Sequence, residues 1–437
     1  MMKFKRSREE KLFDSTWDKI IHSSARANDL HSIKLCGPCG SGKTFFVQEL
    51  ARTQRGIYYM SFEGMTAEEA LQKFARLYLP DGTVVSTWED AGKAFTTLRH
   101  HRKTLLVFED ETEECQRECK KAFLPYTRRK GLFRICEIKQ SCSRKDEYCV
   151  PISFFSISDF CDNLSLYSRA DVMRLHALTG GIPAVAKELD AEKSFEENVR
   201  QLLSYDSAFS LYLPERMRIY FRAPESYYPL LRSMAFGRHR LSEIAKDVGF
   251  PNNKCGKYLD ALIDVGFVIA EHDGGPYAKY DLSNTYYTAW CRYAYLHTTE
   301  QIIQQEEHLQ YVLSDLDEAI ALPAFQNACL RFIGDGEKTS KVFQRTIPVK
   351  MPDGSSVIMK CHEEPWTRTW IYVIPQSLTI RFTKIELQKI LAAAKKYDPF
   401  VDAEVTIFGL ERFSDWCVHE SAKNEYLHEV TMDRLRY

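Results

Sequence analysis

Apolar residues in the first third of the chain come as short blocks separated by stretches of helical spacing. Ile33-Lys34-Leu35-Cys36, Ile57-Tyr58-Tyr59-Met60 and Leu105-Leu106-Val107-Phe108 each read as a strand, and residues 132–138 as a fourth. Residues 45–53 and 66–79 read as amphipathic helices between them. Strands that alternate with helices predict an α/β domain with a parallel sheet. Near Ser158 the pattern becomes helical and stays so to about residue 213. It breaks once, at Gly180-Gly181-Ile182-Pro183, where the glycines permit positive φ at a helix end and the proline starts the next helix. Residues 227–236, 241–249 and 252–265 read as three helices, followed by strand-like runs at 266–269 and 279–282. That order predicts a helix-turn-helix with a β-wing. The last block begins with helix and turns to strands near Val342. The expected division is an α/β core and helical segment over 1–214, a winged helix over 215–295, and a smaller α/β domain over 296–437.

One loop carries specific chemistry. Gly37-Pro38-Cys39-Gly40-Ser41-Gly42-Lys43-Thr44 fits G-x-x-x-x-G-K-[ST] in full, between a strand and a helix. Glycines let the backbone wrap so that its N–H groups point at phosphate oxygens, and the following helix adds the positive end of its dipole. Lys43 is expected to reach the β- and γ-phosphates of ATP, and the Thr44 hydroxyl to coordinate Mg²⁺. Such a loop works with an acid at the end of a neighbouring strand. Leu105-Leu106-Val107-Phe108-Glu109-Asp110-Glu111 supplies it in one of two registers. Either Glu109 and Asp110 are the metal-holding and water-polarising pair with their usual acids exchanged, or the strand runs one residue further and Asp110 and Glu111 are the pair. In both, Asp110 is at the Mg²⁺ site.

With these motifs on the page, the chain resembles the STAND-related, AAA+-like P-loop ATPases often called archaeal-type ATPases. The Gly180–Pro183 string is similar to that family's Gly-x-Pro lid motif, which implies that Pro183 lies beside the adenine. Phe4-Lys5-Arg6-Ser7-Arg8-Glu9-Glu10 looks like its N-terminal Arg-Glu segment, packed near the base. Residues 228–269 look like its winged helix, and the last third like its PD-(D/E)xK nuclease-like domain. Two departures stand out. The fourth strand is followed by Lys139-Gln140-Ser141-Cys142, where the family has a polar sensor in a Gly-Ser context. The nuclease helix acid falls on Gln326, and Trp370-Ile371-Tyr372-Val373-Ile374-Pro375 lacks the Glu-x-Lys of the metal site. The resemblance thus implies an inactive nuclease fold, with Asp353, Glu363 and Glu364 as the acids that could stand in. Arg128, Arg129, Arg169 and Arg174 are the candidate arginine fingers.

Charge narrows the partners. In 437 residues, 59 Lys plus Arg face 60 Asp plus Glu, which argues against coating nucleic acid by bulk electrostatics. The third helix of the expected winged helix offers Asn252, Asn253, Lys254 and Lys257, but also Asp260 and Asp264. Contact with an unnamed protein is therefore favoured over DNA. No apolar run of about 18 residues suggests a membrane span, and Met1-Met2-Lys3-Phe4-Lys5-Arg6 does not read as a signal peptide. The 13 cysteines then predict reduced thiols in the cytoplasm. Cys115, Cys119, Cys136, Cys142, Cys149 and Cys161 cluster, yet only Cys115 and Cys119 have a spacing close to that of zinc ligands. The expected function is an Mg²⁺-dependent ATP-binding and ATP-hydrolysing switch. An ATP-binding scaffold with little turnover and a DNA-binding effector are the alternatives.

Overall fold

The computed structural model describes residues 6–22, 32–54, 56–62, 64–98, 104–109, 121–123, 125, 134–139, 148–271, 277–295, 306–336, 343–364, 368–397 and 403–435. The architecture is mixed α/β, and the chain divides into two compact units, residues 6–154 and 155–437.

In the first unit, β1 (Ser32–Cys36), β2 (Ile57–Ser61), β3 (Leu105–Glu109), β4 (Arg134–Lys139) and β5 (Cys149–Pro151) form one sheet in the order β2-β3-β4-β1-β5. Every pairing is parallel, with Ile33 opposite Cys136, Leu106 opposite Ile135 and Tyr58 opposite Leu106. A parallel sheet needs cover on both faces, which is why its strands read as apolar runs without alternation. The period-two geometry still sorts the side chains. Leu105 and Val107 enter one core with Ile33 and Leu35, closed by Phe13, Trp17 and Ile20 of α1 (Ser7–His22) and Phe46, Val47 and Leu50 of α2 (Lys43–Thr53). Leu106 faces the other core, filled by Phe74 of α3 (Ala67–Tyr78), Trp88 and Phe95 of α4 (Trp88–Thr97), and Phe123. Phe74 meets Trp88 and Phe123 edge-on at 5.6 and 5.5 Å. Helix α3 starts on a capping box, in which Thr66 and Glu69 satisfy each other's backbone N–H groups.

The second unit begins with helices, including Arg169–Thr179, which ends at Gly180 in the left-handed region. Helices Tyr228–Ala235, Leu241–Val248 and Asn252–Asp264 follow, then the antiparallel pair β6 (Val268–Glu271) and β7 (Lys279–Leu282). Gly249, at φ 74°, ends the second of these helices as the sequence suggests. A long helical stretch, 306–336, contains a π-helical turn at Asp317–Ala321.

A five-stranded sheet closes the chain, in the order β12-β11-β10-β9-β8: β8 (Arg345–Lys350), β9 (Ser356–Glu364), β10 (Arg368–Pro375), β11 (Glu404–Gly409) and β12 (Leu427–Thr431). Pairings among β8, β9 and β10 are antiparallel, and β10, β11 and β12 are parallel. Alternate residues Met359, Ile371, Val373 and Ile407 pack on Leu387 and Ile390 of helix Lys384–Tyr397.

The thiols do not all match expectation. Cys36 and Cys149 are disulfide-bonded, whereas Cys161 is a free, buried thiol. Cys115, Cys119 and Cys142 lie outside the described residues.

Candidate functional site

The loop 37–44 leaves the end of β1 and feeds α2. Gly40 and Gly42 have φ of 80° and 86°, a region open to glycine and costly for other residues. At Gly37 the constraint is space: a Cβ would come 1.9 Å from the Ile152 carbonyl oxygen and 3.0 Å from Ser41 Oγ. Gly42 is the N-cap of α2 without a side-chain cap bond, and the first turn of that helix carries no acid. Its positive dipole end is therefore not offset by a carboxylate of its own first turn.

Lys43 Nζ donates to the Gly37 and Pro38 carbonyls at 2.7 and 2.8 Å, so the ammonium sits over the loop it belongs to. Ser41 is fully buried, and its Oγ has no hydrogen-bond partner. Arg6 supports the loop from the chain's start. Its guanidinium donates to the Ser41 carbonyl at 2.5 Å and the Ser153 carbonyl at 3.0 Å, and pairs with Glu9 at 3.2 Å. The arginine of the N-terminal Arg-Glu segment thus grips loop backbone; Phe4 and Lys5 lie outside the described residues.

Among the described residues, Glu109 is the acid that reaches the loop. It ends β3, and its Oε1 accepts from the Thr44 hydroxyl at 2.6 Å. Its Oε2 accepts from the Tyr59 hydroxyl at 2.7 Å. Burial, and after it the neighbouring Glu109, raises the pKa of the Tyr59 phenol, so the group stays a donor through neutral and mildly alkaline pH. Asp110 and Glu111 lie outside the described residues. Tyr59 and Arg6's hold on Ser41 were not foreseen. Tyr59 sits in an apolar strand where an aromatic residue reads only as a strand former, and no periodicity marks its hydroxyl.

The donor set suits the ligands expected here. A hydroxyl beside a carboxylate is a hard-oxygen pair, and Mg²⁺ bound to nucleotide phosphates needs only one or two such groups from the protein. Wrapped glycines, a lysine and a helix start without an acid in its own first turn suit phosphate oxygens.

Comparison with known proteins adds little. No family model matches this chain, and no curated protein matches it. Among solved structures, it is similar over 71% of its length to 96% of a chain in the structure of Drosophila ORC bound to AT-rich DNA and Cdc6, at 10% identity and a TM-score of 0.20. It is similar over 92% of its length to 95% of protein VC1899 from Vibrio cholerae, at 10% identity and a TM-score of 0.18. Neither likeness carries an argument at such scores, and the residues themselves carry the reading.

The remaining expected residues fall in the second unit. Pro183 starts the short helix Pro183–Ala186. The turn before it is locked: Phe155 N–H donates to the Gly181 carbonyl at 2.8 Å, and His176 Nε2 lies 3.1 Å from the Phe155 carbonyl oxygen. His176 is buried, which pushes its pKa down to about 4. Arg174 is committed elsewhere, to Asp317 through two 2.6 Å bonds and to Asp171 at 2.7 Å. Arg169 donates to the Cys161 carbonyl at 3.4 Å; Arg128 and Arg129 are outside the described residues.

On helix Asn252–Asp264, Asn252, Asn253, Lys254 and Lys257 are exposed, as are Asp260 and Asp264. Lys254 Nζ stands 4.0 Å over the Phe250 ring. In the second unit, Gln326 donates to the Pro375 carbonyl at 3.0 Å, which ties helix Leu322–Gly336 to the end of β10. Asp353 holds its own turn through Ser355. Among the described residues there is no group of three or more His, Cys, Asp or Glu that could hold a metal ion. No helix among them is long and apolar enough to cross a membrane.

Proposed function

We propose that this chain binds ATP with Mg²⁺ at residues 37–44 and Glu109, and hydrolyses it as a molecular switch. The observation that carries this reading is the 2.6 Å bond from Thr44 to Glu109 at the end of a glycine-wrapped, lysine-bearing loop. Backbone N–H groups of 37–42 hold the phosphates, and Lys43 exchanges the Gly37 and Pro38 carbonyls for phosphate oxygens. Thr44 Oγ1 holds the Mg²⁺, and Glu109 orients that hydroxyl. The ion, when bound, neutralises charge on the phosphoryl oxygens. Both Glu109 oxygens are engaged, so Asp110 or Glu111 is the better candidate to orient the attacking water. In this reading the core, winged-helix and nuclease-like blocks relay nucleotide state to a protein partner.

A scaffold reading, with ATP bound and little turned over, is favoured by one observation: the acid on Thr44 is a glutamate held at both oxygens, not a free aspartate. Two measurements decide. Purified protein should show an Mg-ATP-dependent rise in melting temperature that Lys43→Ala abolishes; a wild type without that rise removes the nucleotide reading. Phosphate release from the same sample separates switch from scaffold.

A further inference from the structure

Glu109 occupies the place where an acid must meet Thr44, and it is one methylene longer than aspartate. A longer arm reaches further but is less fixed, because an extra rotatable bond must be ordered for each contact. The structure supplies a second point of attachment. Tyr59 lies on β2, opposite Val107, and Ser61 lies opposite Glu109. Residues two apart on a strand share a face, so the phenol rises beside the neighbouring strand to the carboxylate of Glu109. Its hydroxyl meets Oε2 at 2.7 Å while Thr44 holds Oε1 at 2.6 Å. The Tyr59 backbone is held in turn, because its carbonyl accepts from the Tyr78 hydroxyl of α3.

We infer that Tyr59 is a positioning residue for divalent-cation binding, fixing the Glu109 carboxylate so that it orients the Thr44 hydroxyl. This rests on the nucleotide reading above. It extends that reading to why a glutamate can stand where the shorter acid is usual: Tyr59 and Glu109 are a matched pair. Glu109→Asp would withdraw the carboxylate from two partners at once. Tyr59→Phe would remove the hydrogen bond to the Glu109 carboxylate, together with the phenol's contacts to the Gln48 and Ser61 side chains, and no apolar contact.

The test is the Mg²⁺ concentration needed for half-maximal ATP binding, read by calorimetry on the full chain. Tyr59→Phe should raise that midpoint about tenfold and leave the melting temperature of the nucleotide-free protein near that of wild type. Glu109→Gln should raise it too, and Tyr59→Phe should then add nothing, since the phenol acts through the carboxylate. An unmoved midpoint in Tyr59→Phe, or a full tenfold effect on top of Glu109→Gln, overturns the inference. Should Tyr59→Phe fail to fold, Glu109→Asp decides in its place, with a raised midpoint expected and an unchanged one fatal. Wild type that binds ATP beside an unaffected Tyr59→Phe sinks this inference alone. Wild type that binds no ATP at any Mg²⁺ concentration sinks the nucleotide reading as well.

Discussion

The Thr44 hydroxyl and Glu109 Oε1 stand 2.6 Å apart, and this bond ties the start of α2 to the end of β3. β1, whose end leads through the loop into α2, is not a neighbour of β3, because β4 runs between them. The bond therefore crosses a strand, and sheet pairing alone does not account for it. Thr44→Val keeps the branched shape and removes the donor. It should cost about 1 kcal/mol of stability and weaken Mg-ATP binding at least tenfold, with little change for ATP in the presence of EDTA. Calorimetry under both conditions checks this, and an equal loss in both would place Thr44 with the phosphates instead of the cation.

Glycines that look alike in sequence should differ sharply on substitution. Gly37→Ala would drive a Cβ to 1.9 Å from the Ile152 carbonyl oxygen, and Gly181→Ala to 2.0 Å from that of Phe155, with Gly181 also at φ 67°. A backbone oxygen inside a packed unit cannot step aside, so each change should destabilise by about 2–3 kcal/mol or more. Gly237, at φ 86°, has open space around its Cβ position. Its alanine variant should cost only about 1 kcal/mol, the left-handed strain alone. Thermal melting of the three variants tests the order, and equal losses would contradict it.

Arg174 should prove structural. Its fork on Asp317 joins helix Arg169–Thr179 to the π-helical turn Asp317–Ala321, and the bonds to both aspartates raise its pKa. The pair is partly exposed, so solvent screening trims its value, and Arg174→Ala should destabilise by about 1–2 kcal/mol. Phosphate release per folded molecule should stay at the wild-type rate. A loss of several hundredfold without a change in melting would instead make it an arginine finger.

The strands around the loop were legible because burial on both faces leaves nothing polar inside them, as in Leu105-Leu106-Val107-Phe108. The acid register was not. Glu109, Asp110 and Glu111 are consecutive acids without alternation, and nothing in that run marks Glu109 as the acid that bonds Thr44. Tyr59 was hidden for the opposite reason, since an aromatic residue in a buried strand is already explained by packing. Arg174 stood among the candidate arginine fingers because its partner Asp317, 143 residues away, leaves no mark on the local sequence. The disulfides at Cys36 and Cys149 escaped because the cysteine count was read as a statement about compartment and not about geometry.

His176 should make stability fall in mild acid. Its ring is buried against Phe160 at 5.0 Å, with Nε2 facing the Phe155 carbonyl and Nδ1 without a partner. Facing a carbonyl, Nε2 carries the proton of the neutral ring, and protonating Nδ1 would place an uncompensated charge in the core. Burial dominates and lowers the pKa to about 4; the Phe155 carbonyl and Asp159 pull the other way. The unfolded chain takes up this proton near its ordinary pKa of about 6.5, but the folded protein does so only near 4. The unfolded state therefore binds more protons between those values. The neutral ring's contribution is complete above the unfolded pKa and is lost as pH falls towards the folded one, by about 3 kcal/mol in all. His176→Phe keeps the ring but leaves the Phe155 carbonyl without its donor. It should be less stable at pH 7.5 and show a flatter decline from pH 6.5 to 4.5. Carboxylates with raised pKa, such as Glu188 and Glu429, titrate in both proteins and cancel in the difference. Melting temperatures across that range measure the two slopes, and parallel curves would mean that His176 is not held neutral by the fold.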